Sequence, residues 1–174
     1  NVYSVERSLH FYRDLLGFQV IGKSSEDNAL LAPIDSNNKN HLLQLGRVDT
    51  SHRVIEGEQS PIRQAGLYHF AILLPSRRHL ANIFRHLTEN SNQLYFEGAA
   101  DHSVSESLYF KDPDSNGVEI YRDRVQSKWK RSSQFQVEMK TDHLNLEQLL
   151  REGEDQIKWR MPSDTVIGHV HLHV

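Results

Sequence analysis

The chain has 174 residues, and its 20 lysines and arginines against 23 aspartates and glutamates give a formal net charge of −3. Because the two signs are interspersed and no apolar run is long enough to cross a bilayer, we expect neither nucleic acid nor a membrane as a partner. The absence of cysteine excludes disulfides, thiolate metal sites and cysteine nucleophiles, and it fits a cytoplasmic protein.

The first 46 residues predict a helix followed by three strands. Ser4 is a good N-cap, the next apolar residues follow at helical spacing, and Gly17 is a natural stop. Short apolar stretches at residues 18–21, 29–32 and 41–45 then predict strands. This first unit therefore has the order α-β-β-β.

A second unit follows a predicted loop at residues 47–65. Residues 66–74 form a continuous apolar run, which is typical of a central strand covered on both sides. A helix over residues 78–90 comes next. Three strands, at residues 94–96, 107–111 and 118–121, complete the order β-α-β-β-β. The first unit repeats this order without its leading strand, which predicts an α+β fold built from two similar units.

Glu119 lies in an apolar strand directly after a turn made by residues 112–117. Strand alternation places its carboxylate on the face opposite Val118 and Ile120. A buried carboxylate is costly unless a cation pairs with it, and a metal ion would serve. The alternative is a glutamate at a solvated strand end beside Arg122 and Arg124.

His69 lies in the middle of the predicted central strand. Alone, it would be read as a core histidine satisfied by a backbone carbonyl. Together with Glu119 it indicates a metal site, because imidazole and carboxylate are ligands of divalent iron, manganese, nickel and zinc.

Residues 125–164 are highly charged and predict a linker or a wrapping arm with one helical pattern near residues 144–151. Residues 165–174 look like a strand, with His169, His171 and His173 on one face. This segment is similar to the leading strand that the first unit lacks. It is alternatively a cut-off fragment or a surface strand.

Two β-α-β-β-β units, with a histidine opening the second and a glutamate in its last strand, resemble the vicinal oxygen chelate superfamily. This superfamily includes glyoxalase I, bleomycin-resistance proteins and extradiol dioxygenases. The resemblance covers residues 1–124, and residues 66–75 and 167–174 look more narrowly like two-domain catechol-2,3-dioxygenase-type members. It implies a curved mixed-sheet cup over residues 1–124, with the first strand missing. Residues 165–174 are then the first strand of a second, absent domain or a strand that fills the vacant position.

The resemblance also implies a ligand set. His69 matches the histidine ligand that begins the second unit, and Glu119 matches the glutamate ligand of the final strand. Extradiol enzymes take a third ligand from a histidine on the first strand, and His169 has the matching local pattern. Gln44 falls where glyoxalase-type members carry a fourth ligand, although a neutral amide is a weaker donor than a carboxylate.

Three further residues match catalytic positions of the extradiol enzymes. Tyr109 lies ten residues before Glu119, the spacing of their substrate-binding tyrosine. His102 resembles their nearby pocket histidine when two residues are deleted, and His52 lies loosely where they have an acid–base histidine. His102 and Tyr109 are therefore the catalytic candidates, with an imidazole to move a catechol proton and a hydroxyl to hold a charged oxygen.

These matches imply a metal-dependent extradiol ring-cleaving dioxygenase of aromatic compound catabolism, or a fragment of one. We expect Fe(II) as the cofactor, with Mn(II), Ni(II) or Zn(II) as alternatives, and a catechol-like aromatic diol and dioxygen as substrates. A homo-oligomer, including a strand-swapped one, is also expected. Because fold does not fix function, a non-catalytic small-molecule-binding module and a metal-dependent isomerase or lyase stay open.

Overall fold

A computed structural model describes residues 1–35, 41–48, 66–90, 94–155 and 158–174. The first unit consists of α1 (Val5–Leu9, continued by the π-helical segment His10–Leu15), β1 (Gln19–Ile21), β2 (Asn28–Ala32) and β3 (Leu43–Gly46). The second unit consists of β4 (Gly66–Leu73), α2 (Arg77–Asn90), β5 (Tyr95–Asp101), β6 (Ser105–Lys111) and β7 (Gly117–Asp123). After these units come a 3-10 turn (Gln126–Lys128), β8 (Asp142–His143), α3 (Leu146–Leu150) and β9 (Val166–His173).

The fold is α+β, as predicted, and the strands form two sheets. β1, β2 and β3 pair antiparallel in a three-stranded sheet, and the larger sheet has the order β8-β5-β6-β7-β4-β9. β4 runs parallel to β7 on one side and antiparallel to β9 on the other. The strand β9 thus pairs with β4 of its own chain, at the edge of the sheet.

The first helix differs from the prediction in its second half. Ser4 caps it as expected, since its side chain accepts a hydrogen bond from the Arg7 N–H. The continuous α-helix predicted up to Gly17 is wrong, because His10–Leu15 is π-helical. The wider turn lets the consecutive side chains of Phe11 and Tyr12 both enter the core, where both are buried.

The strand β5 is longer than the predicted residues 94–96. It continues through Gly98, whose φ of +147° accompanies a shift in register against β6. Its second half is held on both sides, by β6 and by β8. Pairing on two edges therefore stabilises a stretch whose glycine and alanines have little strand propensity.

The arm at residues 125–164 packs against both units. Leu149 of α3 is fully buried, and so is Met161. The indole N–H of Trp159 donates a hydrogen bond to the Leu16 carbonyl at the end of the first helix, at 2.9 Å. These contacts hold the later part of the arm against the rest of the fold.

The buried carboxylate of Glu106 forms ion pairs with three nearby arginines. Glu106 is 2% exposed, and the guanidinium groups of Arg77, Arg122 and Arg124 lie within 2.6 to 2.8 Å of its oxygens. Two of these arginines are the ones that could have paired with Glu119. Glu119 is itself 4% exposed, so the alternative of a solvated strand end is wrong.

Within the described residues, no helix is both long and apolar enough to span a membrane. Most of the predicted loop at residues 47–65 lies outside the described ranges, as do residues 36–40.

Candidate metal centre

The parallel pair β4 and β7 brings His69 and Glu119 together. His69 is paired with Gly117, and the His69 Nε2 atom lies 3.0 Å from Glu119 Oε2. A Cβ atom at position 117 would collide with the Tyr68 carbonyl and lie 2.8 Å from the His69 Cβ. The glycine that ends the Asp-Pro-Asp-Ser-Asn-Gly turn therefore lets β7 approach the histidine closely.

The strand β9 adds His169 to this pair. Its Nε2 atom lies 3.3 Å from His69 Nε2 and 3.1 Å from Glu119 Oε2. Glu119 and His169 both pair with Ala71, one from each side, and the small alanine leaves room for their side chains to meet across it. Gly168 permits the approach of β9, because a Cβ atom there would collide with the Tyr121 hydroxyl.

The three donor atoms fit a divalent metal ion. In an octahedral site with bonds of about 2.1 Å, adjacent donors lie about 3.0 Å apart. The observed separations of 3.0, 3.1 and 3.3 Å match three donors on one face of such a site. Two imidazoles and one carboxylate form the facial donor set of non-haem iron. Burial lowers the pKa of His69, which favours the neutral ring that a metal requires.

Two hydroxyl groups approach the other oxygen of Glu119. The Ser107 hydroxyl donates to Oε1 at 2.7 Å, and the Tyr109 hydroxyl lies 3.4 Å from the same atom. The Oε2 atom is thereby left to face the imidazoles. The sequence reasoning missed Ser107, although its position two residues before Tyr109 puts both side chains on one face of β6.

A second hydrogen-bond chain runs from the arm to Tyr109. The His102 Nδ1 atom lies 3.2 Å from the Lys140 carbonyl oxygen, which can only accept, and 3.3 Å from the Thr141 hydroxyl, and a proton on Nδ1 is compatible with both contacts. His102 Nε2 is then free to accept from the Tyr109 hydroxyl at 2.9 Å. Burial, followed by the nearby charge of Glu119, raises the pKa of Tyr109 to about 12, so its hydroxyl is protonated at neutral pH.

These groups line one cavity of about 670 Å³ that is walled largely by residues of the larger sheet. His69, Glu119 and His169 lie in its wall together with His102 and Tyr109. The arm contributes Met139, whose side chain is largely exposed. The cavity is large enough for a one-ring aromatic ligand.

The remaining candidate residues do not belong to the three-donor cluster as the structure describes it. Gln44 is exposed on β3 of the smaller sheet, where its amide lies 3.4 Å from Asn28 Oδ1. His52 falls outside the described residues. His171 lines the cavity, while the ring of His173 packs against Tyr68.

Comparisons with known proteins agree with this architecture. A sequence model described as "Glyoxalase/Bleomycin resistance protein/Dioxygenase superfamily" matches residues 1–120. The chain is 42% identical over 173 residues to a catechol-2,3-dioxygenase of Bacillus subtilis (strain 168), which covers 99% of this chain and 56% of that protein. The chain therefore spans little more than half the length of this relative.

Two solved structures share the fold. A glyoxalase/dioxygenase from Nostoc punctiforme superposes with a TM-score of 0.52 at 18% identity, over 71% of this chain and 86% of the other. A lactoylglutathione lyase from Agrobacterium tumefaciens gives 0.51 at 18% identity, over 70% and 86%. At such identities the likeness concerns the fold alone. By its sequence match and its architecture, this chain belongs to the glyoxalase, bleomycin resistance protein and dioxygenase superfamily, the vicinal oxygen chelate proteins.

Proposed function

We propose that the chain carries the metal site of an extradiol dioxygenase that opens a catechol-like ring. The observation behind the proposal is the convergence of His69 Nε2, His169 Nε2 and Glu119 Oε2 within 3.3 Å of one another, in the wall of an open cavity. Two imidazoles and one carboxylate would hold Fe(II), with manganese, nickel or zinc as alternatives. The relative named as a catechol-2,3-dioxygenase supports the same chemistry.

The residues around the donors suit a substrate with two adjacent hydroxyl groups. When bound, Fe(II) would supply coordination positions for both oxygens of the diol and for dioxygen. The unprotonated Nε2 of His102 would take a proton from the catechol and return it later in the reaction. The Tyr109 hydroxyl, which is protonated at neutral pH, would donate to the charged oxygen that remains.

The position of Gln44 supports a dioxygenase over a glyoxalase-type isomerase. A fourth protein ligand would occupy one of the positions that a chelating diol and dioxygen need. Gln44 lies on β3 of the other sheet, its amide close to Asn28. The described cluster therefore has three protein donors, two from histidines and one from a carboxylate.

Metal content and oxygen uptake test the proposal together. We expect protein loaded with Fe(II) under argon to consume oxygen when catechol is added. We expect His69→Ala and Glu119→Gln to lose most of the metal with an unchanged far-UV circular dichroism spectrum. The surface variant His10→Ala, whose side chain is 70% exposed, serves as the control and keeps the metal.

Three other experimental outcomes would contradict the proposal in different ways. Metal binding without oxygen uptake on a range of catechols would favour the isomerase or lyase alternative. A wild-type chain that binds no divalent metal would favour the non-catalytic binding module. Full metal content in both site variants would remove His69 and Glu119 from the ligand set.

A further inference from the structure

Ser107 is fully buried and makes one short hydrogen bond, from its hydroxyl to Glu119 Oε1 at 2.7 Å. In the part of the chain that the structure describes, the other hydroxyl near this oxygen belongs to Tyr109, at 3.4 Å. The Tyr109 hydroxyl lies closer to His102 Nε2, at 2.9 Å, than to Glu119 Oε1. Ser107 is therefore the strong donor to the Glu119 oxygen that points away from the imidazoles.

We propose that Ser107 is a positioning residue that restricts Glu119 to one oxygen in the metal site. This inference deepens the proposed function and rests on it. A carboxylate can bind a metal through one oxygen or through both. A hydrogen bond of normal length on Oε1 occupies that atom and directs Oε2 alone towards His69 and His169.

The number of open coordination positions follows from this restriction. A six-coordinate metal with three protein donors keeps three positions, enough for two diol oxygens and one dioxygen. If Glu119 bound through both oxygens, only two positions would be left, and diol and dioxygen could not bind together. The single hydroxyl of Ser107 would thus protect the coordination position on which the reaction depends.

A purely structural role for Ser107 is the competing explanation. The hydroxyl would then only satisfy a buried carboxylate, and its loss would lower the free energy of unfolding without changing the metal site. A positioning role predicts a change in metal affinity and in coordination, since partners that orient a ligand are typically worth roughly 10- to 100-fold in affinity.

Four variants separate these roles. Ser107→Ala removes the hydroxyl, while Ser107→Thr and Ser107→Val are a matched pair of equal shape of which only threonine keeps it. Ser105→Ala is the control, because Ser105 is buried on the same strand face of β6 and, within the described structure, makes no hydrogen bond to Glu119. The threonine and valine pair decides the question even if the alanine variant does not fold.

Cobalt(II) is the probe, because its visible absorption reports coordination number and its affinity is measured by competition with a coloured chelator. We expect wild type, Ser107→Thr and Ser105→Ala to bind one cobalt with similar spectra. We expect Ser107→Ala and Ser107→Val to bind cobalt roughly 10- to 100-fold more weakly and with altered spectra. Circular dichroism of each metal-free variant checks the fold.

The two proposals fail in different ways. If Ser107→Ala and Ser107→Val bind cobalt with wild-type affinity and spectrum, the proposed role of Ser107 is wrong. The proposed metal site would still be supported if His69→Ala loses cobalt. A wild-type chain that does not bind cobalt would overturn the metal site, and the role of Ser107 with it.

Discussion

Two buried glutamates on neighbouring strands are expected to respond in opposite ways to the same substitution. Glu106 on β6 is surrounded by three guanidinium groups, whereas Glu119 on β7 faces two imidazoles and two hydroxyls. We expect Glu106→Gln to destabilise the fold and keep the metal. We expect Glu119→Gln to lose the metal and leave the metal-free fold nearly as stable as wild type.

The magnitude for Glu106→Gln follows from the partners that its arginines keep. Arg77 retains Glu152, and Arg124 retains Asp101. Among the described residues, Arg122 keeps a hydrogen bond to the backbone carbonyl of Asp123, at 3.3 Å. One buried cation thus loses its hydrogen-bonded carboxylate, so the lower end of the usual range for a broken buried pair applies, about 3 kcal/mol. For a chain of this size, that corresponds to a fall of about 6 to 12 °C in Tm.

The change at Glu119 is expected to cost about 1 kcal/mol or less. A glutamine keeps the shape of the side chain, and its carbonyl oxygen accepts the Ser107 hydroxyl. Burial lowers the pKa of His69, so at pH 8 this ring is a neutral neighbour rather than a counter-ion of Glu119. Among the described residues, the salt-bridge partners of Glu119 are the imidazoles of His69 and His169, with no Lys or Arg, so the removal of its negative charge is expected to be inexpensive.

Urea unfolding of metal-free protein at pH 8, with metal content measured on separate samples, tests both expectations. Glu97→Gln is the control, because Glu97 pairs with Lys111 at 3.6 Å near the surface, where such pairs contribute about 1 kcal/mol or less. Equal destabilisation by Glu106→Gln and Glu119→Gln would refute the reasoning, since it would mean that the imidazoles act as cations towards Glu119.

Two other predictions concern acid stability and strand approach. Because Arg124 lowers the pKa of Asp101 from 3.8 to about 2, this carboxylate contributes stability above about pH 4 that is lost as pH falls towards 2. We expect Asp101→Asn to be less stable than wild type at pH 7 and the difference in urea midpoint to shrink steadily below pH 4; a constant difference would contradict this. Gly117→Ala should lower the unfolding free energy by at least about 2 kcal/mol and reduce metal content, because its Cβ would meet the β4 backbone at His69. Gly46→Ala, where the nearest atom lies at 3.5 Å, should leave both quantities unchanged, and equal effects of the two alanines would argue against close strand approach.

Elements with a strong hydrophobic periodicity could be predicted from the sequence. Elements that form because of tertiary contacts could not. The alternation in β7 predicted its faces correctly, since Val118 and Ile120 both lie in the core. The two-residue strand β8 has no propensity signal and exists because it pairs with β5. The π-helical turn likewise depends on two neighbouring aromatic rings that both enter the core, which a regular helical period does not represent.

Residue type indicated the metal donors in the sequence. It did not indicate the groups that hydrogen-bond to the residues around the site. Glu119 in an apolar strand signalled a buried charge that needs a partner. Ser107 is a common residue whose role depends on strand register, and the Lys140 carbonyl is a backbone group that any residue would supply. Interactions of these two kinds leave no distinctive pattern in one sequence.

The strand β9 lies at the sheet edge, pairs only with β4 among the described strands, and supplies His169 from 100 residues beyond His69. A donor that comes from an edge strand is available only in the fraction of molecules in which that strand is docked. The apparent dissociation constant for any metal held there rises in inverse proportion to this fraction. By reciprocity, the metal would favour the docked state and slow amide exchange along β9 by the same factor. Fraying of β9 and release of the metal would then be thermodynamically coupled, so that a change in one equilibrium constant changes the other.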